Sequence, residues 1–156
     1  MNKPIIKILN LSQSLNEVSG TIYLSDLSSV NKRFFLHRYT KRLILNPNYR
    51  KIKEQLLKES QKIQKLDGRE FKLTMNIQKI SKTTSIDIDN TLKIIIDGLI
   101  EPIIGNDNKI NEIHITRQII TKIPDFIFDI ISDTIKNNKL KKNFGYIISF
   151  TLSKKY

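Results

Sequence analysis

The chain contains no cysteine, which excludes disulfides, thiolate zinc sites and thiol chemistry. Chain-punctuating residues are few, with five glycines and four prolines in 156 residues. No Pro/Gly-rich linker, internal repeat or long low-complexity tract divides the sequence. A single domain over 1–156 is expected, long enough to bury roughly two-thirds of its unfolded surface. Long apolar runs are missing too. The stretch from Ile94 to Ile104 is broken by Asp97 and Glu101, so no membrane span is expected. Met1 to Lys7 lacks the apolar run of a signal peptide. These absences together predict a soluble, cytoplasmic protein.

Negative charge is also in short supply. Fifteen acids face 27 bases, for a net charge of +12. Such a balance points to an anionic partner, nucleic acid above all. Lysine, isoleucine and asparagine are abundant together, however, as an AT-rich genome produces, so charge alone counts for little. The apolar fraction of 39% is low but above the disordered range.

Hydrophobic periodicity orders the chain. Val18 to Leu24 alternates as a strand. Asp26 to Thr40 is expected to be a polar, basic loop. Asn46-Pro47-Asn48 signals a helix start, and Tyr49 to Leu66 carries Ile52, Leu56, Leu57 and Ile63 at helical spacing up to Asp67-Gly68. Phe71 to Ile80 alternates as a half-buried strand. Asn90 to Ile103 is a second helix, with Leu92, Ile95, Ile96, Leu99 and Ile103 on one face. Ile110 to Ile120 alternates again, Pro124 to Ile135 suggests a short amphipathic helix, and Tyr146 to Leu152 a last strand. The order predicts an α+β fold, with a small mixed sheet of about four strands flanked by two or three helices.

Against this acid-poor background, Asp87, Asp89 and Asp97 fall within eleven residues, and Asp107 follows a short way on. In an extended segment Asp87 and Asp89 point the same way. Asp89 or Asn90 is placed to cap the second helix. Asp89, Lys93 and Asp97 stand four residues apart and share one helix flank, where Asp97 is expected to pair with Lys93 and orient it. A reversal at Gly105-Asn106-Asp107 would bring Asp107 back beside Asp87 and Asp89. Three converging carboxylates suit Mg²⁺, a hard cation that takes oxygen ligands, keeps waters and binds phosphate oxygens. Lys93 is then placed to offset charge developing on a phosphodiester. The plainer reading is a solvated helix start with a cap and an i,i+4 ion pair.

Two other motifs fit less well. Asp87-Ile88-Asp89-Asn90 opens like a calcium loop, but Leu92 stands where such a loop needs glycine. Asp87-x-Asp89-x-Thr91 matches the nucleophile motif of haloacid-dehalogenase-type phosphatases. The polar run Lys82 to Ser85 precedes it in place of a buried strand, and little chain follows.

The pattern Asp87-x-Asp89-Asn90-x-x-Lys93-x-x-x-Asp97-x-Leu99, then Asn106-Asp107-x-x-Ile110, resembles the RusA family of Holliday junction resolvases. The match covers roughly Ser85 to Gln118. It implies a small, dimeric, Mg²⁺-dependent endonuclease that cuts four-way DNA junctions in recombination and repair. It also implies Asp87, Asp89 and Asp107 as metal ligands, Lys93 as the catalytic lysine, and Asn90 and Asp97 in supporting roles. The sequence departs from the family at Asn106, where a second acid is common, and in its longer segment from Thr121 to Asn143.

Lys32, Arg33, Arg38, Lys41 and Arg42 surround Phe34, Phe35 and Tyr39, a mix of cations and aromatics that suits a nucleic-acid groove. The phenylalanines serve equally well as core residues. His37 and His114 are isolated, and no catalytic role is expected of His114, which lies on the polar phase of its strand. A non-catalytic basic DNA-binding protein is the alternative in which the acids only cap and pair.

Overall fold

The computed structural model describes residues 6–25, 34–36, 39–41, 43–45, 47–81, 88–122, 124–126, 129 and 143–155; for 34–36, 43–45, 48, 81, 88–91 and 143–144 the description is of the backbone alone. Their class is α+β: a mixed five-stranded sheet and helices. The strands are β1 (Ile6–Gln13), β2 (Glu17–Leu24), β3 (Phe34–Leu36), β4 (Leu43–Leu45), β5 (Phe71–Ser81), β6 (Ile110–Ile120) and β7 (Asn143–Lys154). Helix α1 covers Pro47–Ser60. Helix α2 (Ile88–Ile95) runs without a break through a π-helical stretch, Ile96–Ile100, into α3 (Glu101–Ile104). No described helix is long and apolar enough to cross a membrane.

The main sheet has the order β1-β2-β7-β5-β6, antiparallel except for β5 and β6. Parallel neighbours need a crossover connection, and the helical run from Ile88 to Ile104 supplies it. Period-2 alternation gives the sheet one apolar face. Val18, Ile22 and Leu24 of β2, Phe71, Leu73, Met75 and Ile77 of β5, and Tyr146, Ile148, Phe150 and Leu152 of β7 enter the core. Tyr49, Ile52 and Leu56 of α1 join them, with Ile94 to Ile96, Leu99, Ile100, Ile103 and Ile104 of the crossover. The other face is polar over part of its area, but Tyr23, Ile80 and Ile147 lie on it and are buried. Side chains pair across it: Thr21 with Ser149 at 3.2 Å, Asn76 with Thr116 at 3.1 Å and Gln78 with Gln118 at 2.8 Å. The described helices pack over the apolar face of the sheet.

Several sequence expectations need correction. The small mixed sheet is as expected, but Ile6–Gln13 adds to it an edge strand that the sequence reading left unassigned. The expected loop from Asp26 to Thr40 contains β3, which pairs with β4 as a separate two-stranded sheet. Helix α1 stops at Ser60, short of Leu66. Continued helix would turn Leu66 about 80° off the stripe of Leu56 and Ile63. Instead the end tightens through Lys62 N–H to Glu59 O and Ile63 N–H to Ser60 O, and the Leu66 N–H reaches Ile103 O at 2.9 Å, which buries both side chains. Helix α2 begins at Ile88, so Asp89 lies in its first turn and is neither extended nor the cap. On the edge strand β6 the apolar phase is only partly covered: Ile115 packs on the core, while Ile113 and Ile119 are 44% and 37% exposed. The expected helix from Pro124 to Ile135 lies largely outside the described residues.

Candidate metal centre

The crossover helix carries Lys93, Asp97 and Glu101 at successive intervals of four. Its middle is unusual. Every residue from Ile94 to Ile100 is buried, where an amphipathic α-helix would expose about half. The wider π-helical turn coincides with this stretch and carries Asp97 into the protein, where it is 6% exposed. Turns of this kind recur at functional sites. Gly98 permits the burial. A Cβ there would lie 2.7 Å from Leu56 Cβ and 3.3 Å from the Lys53 carbonyl, so only glycine lets α1 and the π turn come this close.

A buried carboxylate needs partners, and Asp97 has them on both oxygens. The Tyr49 hydroxyl donates to Oδ2 at 2.6 Å, and Lys93 Nζ lies 3.1 Å from Oδ1. Tyr49 is itself buried, in the first turn of α1. The expected Asp97–Lys93 pair is present. Lys93 keeps its side chain 45% exposed, so its ammonium group sits between the buried acid and solvent.

The end of the helical run sets the third acid. Gly105 adopts φ +89° and its N–H closes on Glu101 O at 2.7 Å, a left-handed cap that reverses the chain. Asn106 is extended, and its side-chain oxygen accepts from Asn108 N–H at 2.9 Å, which starts a 3₁₀ turn over Asp107–Lys109. Lys109 Nζ donates back to Ile104 O at 3.0 Å, tying the turn to the helix end. The reversal brings Asp107 back onto the helix flank. One carboxylate oxygen from each of Asp97, Glu101 and Asp107 lies within 4.8 Å of the others. Glu101 and Asp107 are half-buried.

The expected partners of Asp107 were Asp87 and Asp89. Asp107 arrives beside Asp97 and Glu101. The backbone of Asp89 lies two helical turns earlier on the same flank, about 12 Å away along the axis. Asp87 lies outside the described residues, as do the side chains of Asp89 and Asn90. Glu101 and Tyr49 were missed. Glu101 had a signal, since it extends the Asp89, Lys93, Asp97 series by one more step of four. Tyr49 had none, being 48 residues from its partner.

The donor set tests well against a hard divalent cation. All donors are carboxylate oxygens, the ligand type Mg²⁺ takes, and Glu101 and Asp107 are only half-buried. Carboxylates this close repel one another unless a cation joins them.

Of the basic loop, Lys32, Arg33, Arg38 and Arg42 lie outside the described residues, as do the side chains of Phe34 and Phe35. Lys41 is exposed, with φ +56°, between β3 and β4. His114 sits on the polar sheet face, 2.7 Å from Glu112, which also meets Lys155 at 3.0 Å and Lys72 at 3.6 Å. Hydrogen bonds from His114 and Lys155 hold the Glu112 carboxyl down at about 2.

No protein-family model matches the chain, and a search of curated proteins finds no match.

Proposed function

We propose that this chain is a Mg²⁺-dependent endonuclease of the RusA type, which cuts four-way DNA junctions as a cytoplasmic homodimer. One observation carries the reading: Asp97, Glu101 and Asp107 converge beside the accessible ammonium of Lys93, in a chain of net charge +12. Acids are scarce in this protein, and their collection next to a lysine is what a phosphodiester-cutting site requires.

In this reading Asp107 and Glu101 are the direct ligands of the metal. Asp97 shares its oxygens with Tyr49 and Lys93, so its chief role is to hold the lysine. Asp87 and Asp89 remain ligand candidates through the family resemblance, at the head of the same helix flank. When bound, Mg²⁺ supplies an acidified water and charge stabilisation on the phosphodiester. Lys93 presents its ammonium group where negative charge grows on the phosphate. The basic residues Lys32, Arg33, Arg38, Lys41 and Arg42 hold the DNA backbone, and branched shape rather than base edges selects the substrate. A twofold dimer suits paired cuts across a junction.

A second reading, a DNA-binding protein without catalysis, is favoured by the engagement of both Asp97 oxygens, as in a purely structural ion pair. Incubation with a synthetic four-way junction and a linear duplex, with and without Mg²⁺, separates the two. The nuclease cuts the junction only with Mg²⁺. Asp107→Asn then binds the junction but does not cut it, and Asp87→Asn against Glu101→Gln tells which carboxylates complete the site. Junction binding without cleavage by the unaltered chain favours the second reading.

A further inference from the structure

We infer that Tyr49 is a positioning residue of this site, acting through Asp97 on Lys93; the inference rests on the endonuclease reading above. Lysine ends in a compact charge on a flexible four-carbon stem, so the place of its ammonium group is set by what it pairs with. Here that partner is Asp97 Oδ1 at 3.1 Å. Asp97 is in turn gripped from the protein side, where the buried Tyr49 hydroxyl donates to Oδ2 at 2.6 Å. One oxygen faces the core and the other faces the lysine, and the hydroxyl fixes that orientation. The frame behind it is stiff. Tyr49 and Leu56 lie on the same face of α1, and Leu56 meets the π turn at Gly98, the residue after Asp97. The half-exposed lysine at the outer end leaves the pair open to a ligand from solvent. Burying an ion pair contributes little to stability compared with apolar packing of the same volume.

The test measures the first-order cleavage rate at saturating enzyme with Mg²⁺, together with junction affinity, for the unaltered chain, Tyr49→Phe, Lys93→Ala and the double variant. Phenylalanine keeps the ring that fills the core and removes only the hydroxyl. Tyr49→Phe is expected to slow cleavage by about tenfold or more, with junction affinity and secondary structure by circular dichroism unchanged. In the Lys93→Ala background it adds no further loss. Should Tyr49→Phe not fold, a meta-fluorinated tyrosine at this position, whose hydroxyl is the stronger donor, takes its place. An altered rate that vanishes in the Lys93→Ala background then supports the role. An unaltered rate in Tyr49→Phe or the fluorinated protein, or losses that multiply in the double variant, overturns it. No cleavage by the unaltered chain sinks the endonuclease reading itself, and the positioning role with it. That outcome differs from failure of the positioning role alone, in which the unaltered chain cuts and the Tyr49 variants cut as fast.

Discussion

Replacing Gly98 with alanine tests the contact on which the buried acid depends. The added Cβ would meet Leu56 Cβ at 2.7 Å, Leu56 Cδ1 at 3.0 Å and the Lys53 carbonyl at 3.3 Å. Cδ1 can swing away, but Leu56 Cβ and the Lys53 carbonyl move only with the α1 backbone. Overpacking of this sort costs about 1–3 kcal/mol. Removing glycine from a helical position returns about 1 kcal/mol. Because the closest atom is fixed to backbone, the upper part of the penalty applies, and a net loss of about 1–2 kcal/mol follows. For a domain of this length that lowers the melting temperature by about 2–8 °C. The assay is thermal denaturation followed by circular dichroism. Leu56→Ala gives a sharper check: it leaves the Cβ in place, so it does not rescue Gly98→Ala. A melting temperature that is unchanged or raised in Gly98→Ala would show that α1 and the π turn are not in this contact, and the burial of Asp97 would need another explanation.

Other outcomes follow from the same geometry. Gly105→Ala has open space around its Cβ but must hold φ +89°, so it should lose about 1–2 kcal/mol from backbone strain alone, read by denaturant unfolding; no loss would mean that the reversal tolerates another conformation. Asp97→Ala removes an acceptor of the buried Tyr49 hydroxyl and should cost about 1–3 kcal/mol in the same assay, whereas a neutral result would mean that this bond does not stabilise the fold. The Glu112 carboxyl, lowered from the ordinary 4.5 to about 2, favours the folded state above pH 4.5, and that contribution is lost as pH falls towards 2. Carbon NMR should give its midpoint near 2, moving up in Lys155→Ala, and a midpoint in the ordinary range would break the His114–Glu112–Lys155 cluster.

Most regular elements were legible because their signals are local. Alternation marked β5 and β6, and an i,i+4 interval was enough to foresee the Lys93–Asp97 pair. Strand β1 escaped because only Ile6 and Ile8 touch the core from an edge position, and its register slips between Ile8 and Asn10. The three-residue strands β3 and β4 are too short to show a period. Nothing in the residues of the π stretch separates it from ordinary helix, yet it decides that Asp97 points inward. The end of α1 was fixed by the long-range bond from Leu66 to Ile103, which no window along the chain contains. The candidate site was half legible for the same reason. Asp97, Lys93 and Asp107 carried a pattern, whereas the meeting of Asp107 with Glu101, and of Tyr49 with Asp97, is made by a chain reversal and a helix packing.

Titration with Mn²⁺, a paramagnetic stand-in for Mg²⁺, followed by NMR, tests the central claim most directly. The account predicts that signals of Asp97, Glu101 and Asp107 broaden first, that Mg²⁺ reverses the effect, and that Asp107→Asn abolishes it. Broadening confined to other parts of the chain, or none at all, would contradict it.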